Sequence, residues 1–402
     1  MPLKTKNKTK NQFSSKKHLF TLLSFAICLY GMSGVNIAQA AAQVTEDDIK
    51  LSISGHFKMY ANIVDQDGNA RAVDILRDTD VTFSGETELN NGLNVGVLVN
   101  ADGDAGDDFA VEDSFIFIAG PWGRLSLGAE DGPGILLQVA APSADANIDG
   151  LETFVSPFNL EATSLAGTHL AEEVSSFGLD YDNDLTAGFD KITYLTPVFG
   201  GLQVGVSYTP DIANFDPASR ALNGNSPEDE LDQFGEAWEV AAIFQHDFNP
   251  SLHLNLGSGY THVGVENDSS LTDIDAIEEW NIGTDFDFKN SAGRNIGLGA
   301  VYTQKSGGID DRYDSRTFVL GADYMPNGSS PWTYGVSWLN NNQEESADRD
   351  ITSNRYTLGL QYHLLEGVSL RGAVSHLSAD VPATIGDDFE GTSLTVGTQI
   401  LF

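Results

Sequence analysis

Cysteine and positive charge are scarce in this chain. It has 402 residues, one cysteine (Cys28), and 21 Lys and Arg against 58 Asp and Glu. A single cysteine forms no intramolecular disulfide, and Cys28 lies in a segment that we expect to be removed. Neither disulfides nor cysteine metal sites are therefore expected in the mature protein. The low Lys and Arg content argues against nucleic acid as a partner, because binding it requires neutralised phosphates, and the acidity favours cations.

Long apolar runs are also missing beyond residue 40. No stretch there reaches the ~20 residues that a transmembrane helix needs. The absence of such a stretch does not exclude a membrane-spanning β-barrel, because its alternating strands have modest average hydropathy. Acidity alone could indicate disorder, but 41% hydrophobic and 10% aromatic residues argue against it.

Residues 1–40 have the three parts of a secretory signal peptide. Six lysines precede an apolar run from Leu19 to Met32, and Ala38-Gln39-Ala40 provides a small-x-small cleavage site. The apolar run is too short for a spanning anchor. We expect export and a mature domain of residues 41–402. Its formal charge falls from −37 to −43, because six lysines leave and no acid does.

The mature chain reads as a succession of β-strands. From Leu51 to Ile63 the odd positions are mostly apolar and the even ones mostly polar, so a strand here has one face of each kind. The same alternation predicts about sixteen strands, an even number as bacterial barrels require. The further apolar positions are Val81–Leu89, Leu93–Val99, Phe115/Phe117, Leu125/Leu127, Ile192/Tyr194, Leu202–Tyr208, Trp238–Phe244, Leu252–Tyr260, Trp280–Phe288, Ile296–Tyr302, Phe318–Tyr324, Trp332–Trp338, Tyr356–Tyr362, Val368–Val374 and Leu394–Phe402.

The connections between the predicted strands alternate in length. One set consists of short turns rich in Gly, Pro and Asn, such as Asn90–Gly92 and Gly120–Gly123. Short turns at one end and long loops at the other are typical of an outer-membrane barrel. The long, acidic set covers residues 64–75, 101–110, 131–190, 209–235, 263–276, 304–314, 340–352 and 377–390.

A soluble β-sandwich is the alternative fold, since its strands alternate too. Two features favour the barrel. Aromatic residues cluster near strand ends on the apolar parity, as in an interfacial girdle, with Tyr60 as an exception. Charged residues such as Lys58, Glu86 and Asp285 stand on the polar face inside strands, which a water-filled lumen tolerates and a dry core does not. The predicted fold class is therefore all-β, a transmembrane antiparallel β-barrel.

Three segments carry a family resemblance. They are the turn and strand Gly120–Gly128, the hairpin Ile192–Tyr208 with its Tyr-x-Thr-Pro-x-Phe-Gly-Gly pattern, and the terminal Phe402 after alternating apolar residues. Together they resemble the Gram-negative trimeric porins, especially general diffusion porins of non-enteric proteobacteria, where serine is usual in place of Thr196. The resemblance implies a homotrimer of sixteen-stranded barrels in the outer membrane, each a passive, water-filled channel with its third long loop folded into the pore.

Residues 131–190 form the longest predicted loop. Loops beyond ~15 residues are usually functional or disordered. Its hydrophobic residues indicate a packed loop, and the lumen is the nearest place to pack it; they are Ile135, Leu136, Leu137, Phe154, Phe158 and Leu160.

Charges on this loop and on the wall are the candidate constriction, because a pore selects by diameter and by lining charge. The acidic loop candidates are Asp145, Asp149, Glu152, Glu161, Glu172 and Glu173. The basic wall candidates, which strand parity sends inward, are Lys58, Arg124, Lys191, Arg355 and Arg371. An acidic loop facing a basic wall would set a transverse field across the pore, in line with the family resemblance. A local ion pair or a solvated charge is the alternative for each residue.

Cofactor and catalytic motifs are weak. Residues 65–69 and 102–108 look like calcium loops but lack the EF-hand spacing. No cofactor is expected, although Ca²⁺ bridging the acidic loops to lipopolysaccharide is left open. The chain has no Gly-x-Ser-x-Gly or His-Glu-x-x-His motif. We predict a cation-preferring channel for small hydrophilic solutes and no enzyme, with lipid, lipopolysaccharide and its own copies as partners. An adhesion or binding protein and a barrel hydrolase are the alternatives.

Overall fold

The computed structural model describes the barrel and large parts of its longest connection. The residues described are 49–103, 110–143, 157–176, 179, 181–212, 233–266, 274–289, 295–309, 314–326, 330–346 and 349–402.

Sixteen antiparallel strands form one closed barrel within these residues, and each strand pairs with its neighbours in the chain. The predicted fold class is confirmed. The strands are β1 (Lys50–Gln66), β2 (Val73–Glu88), β3 (Asn94–Asp102), β4 (Ala110–Gly120), β5 (Gly123–Ala129), β6 (Asp190–Leu195), β7 (Leu202–Asp211), β8 (Gln233–Asn249), β9 (Leu252–Glu266), β10 (Ile274–Lys289), β11 (Asn295–Ile309), β12 (Ser315–Met325), β13 (Trp332–Ser346), β14 (Arg349–Leu365), β15 (Val368–Asp380) and β16 (Phe389–Leu401).

The barrel closes between its first and last strands. Pairing runs from His56 opposite Leu401 to Gln66 opposite Gly391. Gly55 and Phe402 extend the ladder through two backbone hydrogen bonds of 2.9 and 3.1 Å. Closure leaves no open sheet edge, which matters in lipid because every backbone polar group there needs a partner within the protein.

The two faces of the sheet differ as the alternation predicts. Large apolar side chains such as Ile53, Val336 and Leu358 are exposed on the outside, whereas polar ones such as Asn281 and Ser353 point inward and are buried. Aromatic rings pair on the outer surface near both ends of the strands, as in the predicted girdles. The pairs include Tyr208–Trp238 and Trp332–Tyr362, each with ring centroids 4.4 Å apart.

Strand β4 corrects the sequence prediction. The alternation assigns Phe115 and Phe117 to the apolar outer face, but Phe115 is buried inside the barrel and Ile116 and Ile118 are exposed outside. Both aromatic rings instead contact the Arg124 guanidinium, at 5.1 and 5.2 Å from their centroids. This cation–π contact compensates for rings on the lumenal side.

Several predicted loops are shorter than expected, because the strands continue past the apolar band. The sequence predicts a loop over residues 340–352, yet β13 runs to Ser346 and β14 begins at Arg349. Polar side chains there bond across the sheet, as when the Asn340 amide donates to Asn354 at 3.1 Å. Loss of apolar alternation therefore marks the end of the lipid-facing band and not the end of the strand.

The described part of the connection between β5 and β6 contains two short helices. They are α1 (Pro133–Leu136) and α2 (His169–Ser176), with a 3₁₀ turn at Leu160–Ala162 between them. None of the helices in the described part of the chain is long and apolar enough to cross a membrane. We call the barrel end with this connection the loop end, and the opposite end, with the short turns, the turn end.

Candidate pore constriction

The first part of the β5–β6 connection lies against the inner wall of the barrel. Helix α1 begins with Pro133 at its first turn, a position that proline's fixed φ suits. It contacts β7, β8 and β9. Ile135, Leu136 and Leu137 are all buried there, at 2–8% exposure. The prediction of a packed loop is thus confirmed for this part.

A row of wall glycines gives this segment the room it occupies. A Cβ atom at Gly283 would lie 2.1 Å from the carbonyl oxygen of Val139, and one at Gly321 equally close to that of Pro142. Any larger residue would therefore push the loop backbone off the wall. The row has one member on each of β7, β9, β10, β11 and β12: Gly205, Gly257, Gly283, Gly299 and Gly321.

Further along, the connection packs into an apolar cluster inside the barrel. Phe158 meets Phe389 of β16 edge to face at 6.4 Å, and Leu160, Leu165 and Leu170 are fully buried. Burying a leucine contributes about 1.5–3 kcal/mol, so this cluster holds the loop firmly. Its inward-facing wall members include Val64, Val301, Val319, Leu339, Ile351 and Leu377. Phe154 lies outside the described residues.

The returning stretch is bonded to the outgoing one and to the wall. Gln138 donates to the carbonyl oxygen of Tyr181 at 2.9 Å and accepts from the Asn183 N–H at 2.9 Å. Thr303 of β11 donates to the same Tyr181 carbonyl at 2.8 Å, and Thr261 of β9 to the Asn183 side chain at 2.5 Å. Two passes of the loop thus form one layer on β9–β11.

A buried carboxylate anchors the base of this layer. Glu239 of β8 accepts hydrogen bonds from Thr186 at 2.5 Å, Ser207 at 3.2 Å and the Gly134 N–H at 3.4 Å. Lys191 lies beside it and donates to the backbone carbonyls of Glu130 and Thr186. One acid and one base thereby tie both ends of the connection to β6–β8.

The basic wall candidates all lie on the barrel strands, and two of them form ion pairs with nearby carboxylates. Lys58 pairs with Asp78 of β2 at 2.8 Å, and Arg124 pairs with Glu130 at 2.9 Å. Burial raises the pKa of the Glu130 carboxyl, and the Arg124 charge opposes that rise. Lys191 serves the loop backbone, as described. Arg371 is 7% exposed and donates to Ser369 at 3.1 Å, and Arg355 lies on β14.

The acidic loop candidates are placed less completely. Glu161 is exposed in the 3₁₀ turn and accepts the Gly167 N–H at 3.2 Å. Glu172 and Glu173 belong to α2, whose side chains at those positions are outside the described set. Asp145, Asp149 and Glu152 also lie outside the described residues. Their role in lining the constriction stays a prediction.

Sequence reasoning missed an acidic wall on β2–β4. Asp78, Asp80 and Asp102 point into the lumen from β2 and β3, and Asp80 and Asp102 are directly paired in the register. Glu112 and Asp113 follow on β4, beside a register shift against β3. Glu112 interacts with the charges of Asp78, Asp80 and Asp102, whereas Asp113 interacts with Asp131 and Lys191. In the ring of strands, β2–β4 lie across from β10–β12, against which the loop packs.

Extending the apolar–polar alternation of β2 back to residue 73 would have predicted part of this wall. Val73 and Ile75 extend the outward parity of Val81 and Phe83, so the even positions, including Asp78 and Asp80, point inward. The sequence pattern predicts a loop over residues 64–75 and a strand from residue 81, because Arg77 and Thr79 interrupt the apolar alternation.

The barrel fold agrees with comparisons to known proteins. A family model described as Gram-negative porin matches residues 24–381. The chain belongs to the Gram-negative porin family. This porin is 22% identical over 346 residues to an uncharacterised protein of Rickettsia conorii, covering 72% of this chain and 76% of that protein.

Solved structures show the same fold. A loop-deletion mutant of OmpT, an outer membrane protein of Vibrio cholerae, matches with a TM-score of 0.56 at 11% identity, covering 89% of this chain and all of that one (100%). A mutant porin of Rhodopseudomonas blastica matches with a TM-score of 0.52 at 15% identity, covering 88% and 100%. Both the suspected family and the fold are confirmed.

A second acidic group lies in this porin's lumen nearer the turn end. Asp285 of β10 accepts from the Asn255 amide at 3.2 Å, and Asp323 of β12 accepts from the Gly297 N–H at 2.8 Å. His253 pairs with Asp247 at 2.8 Å in the same region. Carboxylates therefore line the described lumen at two depths.

Proposed function

We propose that this porin forms a passive outer-membrane channel for small hydrophilic solutes and ions, and that it prefers cations. The observation that carries the proposal is the acidic wall on β2–β4. Asp80 and Asp102 are half-buried, and Glu112 is exposed within electrostatic range of both, so we expect their charges to act on passing ions. Narrow, low-dielectric passages strengthen such fields relative to bulk water.

Basic groups in the same region are already engaged. Lys58 balances Asp78, and Arg124 balances Glu130 at distances below 3 Å, namely 2.8 and 2.9 Å. The net field along the path is therefore negative in this proposal, and the turn-end carboxylates extend it. A transverse field between an acidic loop and a basic wall would then be weaker than the sequence predicts, since part of the described wall is itself acidic.

Assembly and export belong to the proposal as well. One form of the Vibrio cholerae OmpT structure is described as a trimer, which supports a homotrimer for this chain. The residues 1–40 signal peptide and the lipopolysaccharide contacts rest on the sequence alone. No enzymatic role is proposed, because the family and the lumenal geometry together support a channel.

A planar-bilayer measurement in a KCl gradient tests the channel and its preference together. We expect current steps of the size that a water-filled pore gives, and a reversal potential whose sign corresponds to cation preference. The double variant Asp102→Asn, Glu112→Gln is expected to lower the cation-to-anion permeability ratio. Asp350→Asn is the matched control, because Asp350 is exposed on the outward parity of β14. Anion preference, or no steps at all, would overturn the proposal.

A further inference from the structure

A histidine and two aspartates meet on the lumenal face of β1 and β2. His56 and Asp80 are directly opposite in the strand register, and Asp78 stands two residues away on the same face. His56 Nε2 lies 2.9 Å from Asp78 Oδ1, and its Nδ1 lies 3.8 Å from Asp80 Oδ2. The backbone pairing itself therefore holds three metal-ligating side chains together.

The spacing of these side chains suits a metal ion. One ligand atom from each of the three residues lies within 4.8 Å of the others. An ion bonded at about 2.0–2.2 Å to each nitrogen or oxygen holds its ligand atoms roughly 3–4 Å apart. Small rotations about the side-chain bonds would close that difference, and no backbone movement is needed.

The donor set indicates which class of ion fits. An imidazole nitrogen with two carboxylates suits Zn²⁺ and other divalent transition metals, whereas Ca²⁺ and Mg²⁺ favour oxygen ligands alone. A ligating histidine usually donates its second ring N–H to a carboxylate. Because the His56 side chain keeps 18% exposure, lumenal water can accept its second ring N–H while both aspartates bind the ion.

Charge around the three residues favours a divalent cation. Asp102 of β3 is paired with Asp80 in the register, and Glu112 lies within electrostatic range of both. Lys58 supplies one positive charge, 2.8 Å from the second oxygen of Asp78. The His56 and Asp80 side chains keep 18% and 26% exposure, so an ion in the lumen reaches them.

We propose that His56, Asp78 and Asp80 form a binding site for a divalent transition-metal ion in the channel wall, with Zn²⁺ as the probe. The site goes beyond the proposed function and depends on it only where current is the readout. An ion held there would add positive charge to the acidic wall and narrow the path beside it.

Calorimetric titration of Zn²⁺ into the purified full chain in detergent tests binding without any current. We expect saturable binding in the wild type, weakened by about tenfold or more in His56→Gln and in Asp80→Asn. His253→Gln is the matched control, because His253 is also lumenal and pairs with a carboxylate, Asp247; its Zn²⁺ affinity should equal the wild type. Heat-modifiable migration on a gel verifies that each variant folds.

Single-channel recording adds the functional readout. Zn²⁺ is expected to reduce the wild-type and His253→Gln currents and to leave the His56→Gln current nearly unchanged, whereas equal Mg²⁺ has little effect on all three. Equal Zn²⁺ affinity in wild type and His56→Gln, or equal action of Mg²⁺, would overturn the site. Retained Zn²⁺ binding in a chain that forms no channel would instead refute the proposed function and leave the site standing.

Discussion

Glu345, at the loop end of β13, accepts hydrogen bonds from the backbone N–H groups of His169 and Leu170, both at 2.8 Å. These two residues begin helix α2, which lies about 175 positions away in the sequence. A carboxylate at a helix N-terminus satisfies N–H groups that have no partner inside the helix and complements the helix dipole. The barrel wall thus caps a helix of the loop that folds into its lumen.

Removing this cap should loosen the inward loop. We expect Glu345→Ala to lose about 1 kcal/mol of local stability and to increase open-channel current noise, because α2 would leave its position more often. Single-channel recordings check this against Glu390→Gln, which also removes one loop-end carboxylate but lies exposed on β16. Equal noise in the two variants would contradict the role of Glu345.

The glycine row makes a second prediction. Gly283→Ala should lower the unfolding temperature and reduce conductance, because its Cβ would lie 2.1 Å from the Val139 carbonyl oxygen and push the loop off the wall into the lumen. Overpacking of this kind costs about 1–3 kcal/mol. Gly372→Ala on β15 is the control, since its Cβ would have no neighbour nearer than 3.5 Å. The temperature at which the gel mobility shifts measures the unfolding temperature of both variants. An unchanged value for Gly283→Ala would argue against the role of the glycine row in seating the loop.

The buried Asp131 carboxyl should make the stability of the barrel depend on pH. Burial raises the pKa of its carboxyl to about 6, the charges of Asp184, Glu130 and Glu239 add to the rise, and Lys191 opposes it. A carboxyl whose pKa is higher in the folded state binds more protons there, so its contribution to stability is lost as pH rises from about 4 to 6. Asp131→Asn should therefore stabilise the barrel at pH ~7.5 and much less at pH ~4, and the reverse order would refute the assignment.

The Lys58–Asp78 pair provides a fourth test. Its nitrogen and oxygen are 2.8 Å apart, and both side chains are about nine-tenths buried, at 11% and 10% exposure. Each single substitution removes this buried contact, so Lys58→Met and Asp78→Asn should each destabilise the barrel, and the double variant should lose less than the sum of the two. A double-mutant cycle in urea should show a coupling of about 1–3 kcal/mol. Strictly additive effects would mean that the pair contributes little.

The alternation of side chains alone determined much of this protein. Apolar residues at every second position from Leu51 to Phe402, with short turns between, specify strands that have one lipid-facing side, and the closed barrel follows because unpaired edges are costly in lipid. The apolar residues of the 131–190 loop likewise predicted that it packs. These are local patterns, and period two leaves little freedom in how a strand is oriented.

The constriction depended on tertiary structure. The sequence showed that Lys58 and Arg124 face inward, but not that their charges meet Asp78 and Glu130, because ion pairs across strands depend on register. It also missed that Asp80 and Asp102 become neighbours, since β2 and β3 meet only through their pairing. Which charges face the open lumen depends on where the loop lies, and the row of wall glycines that admits it comes together only when β7–β12 stand side by side.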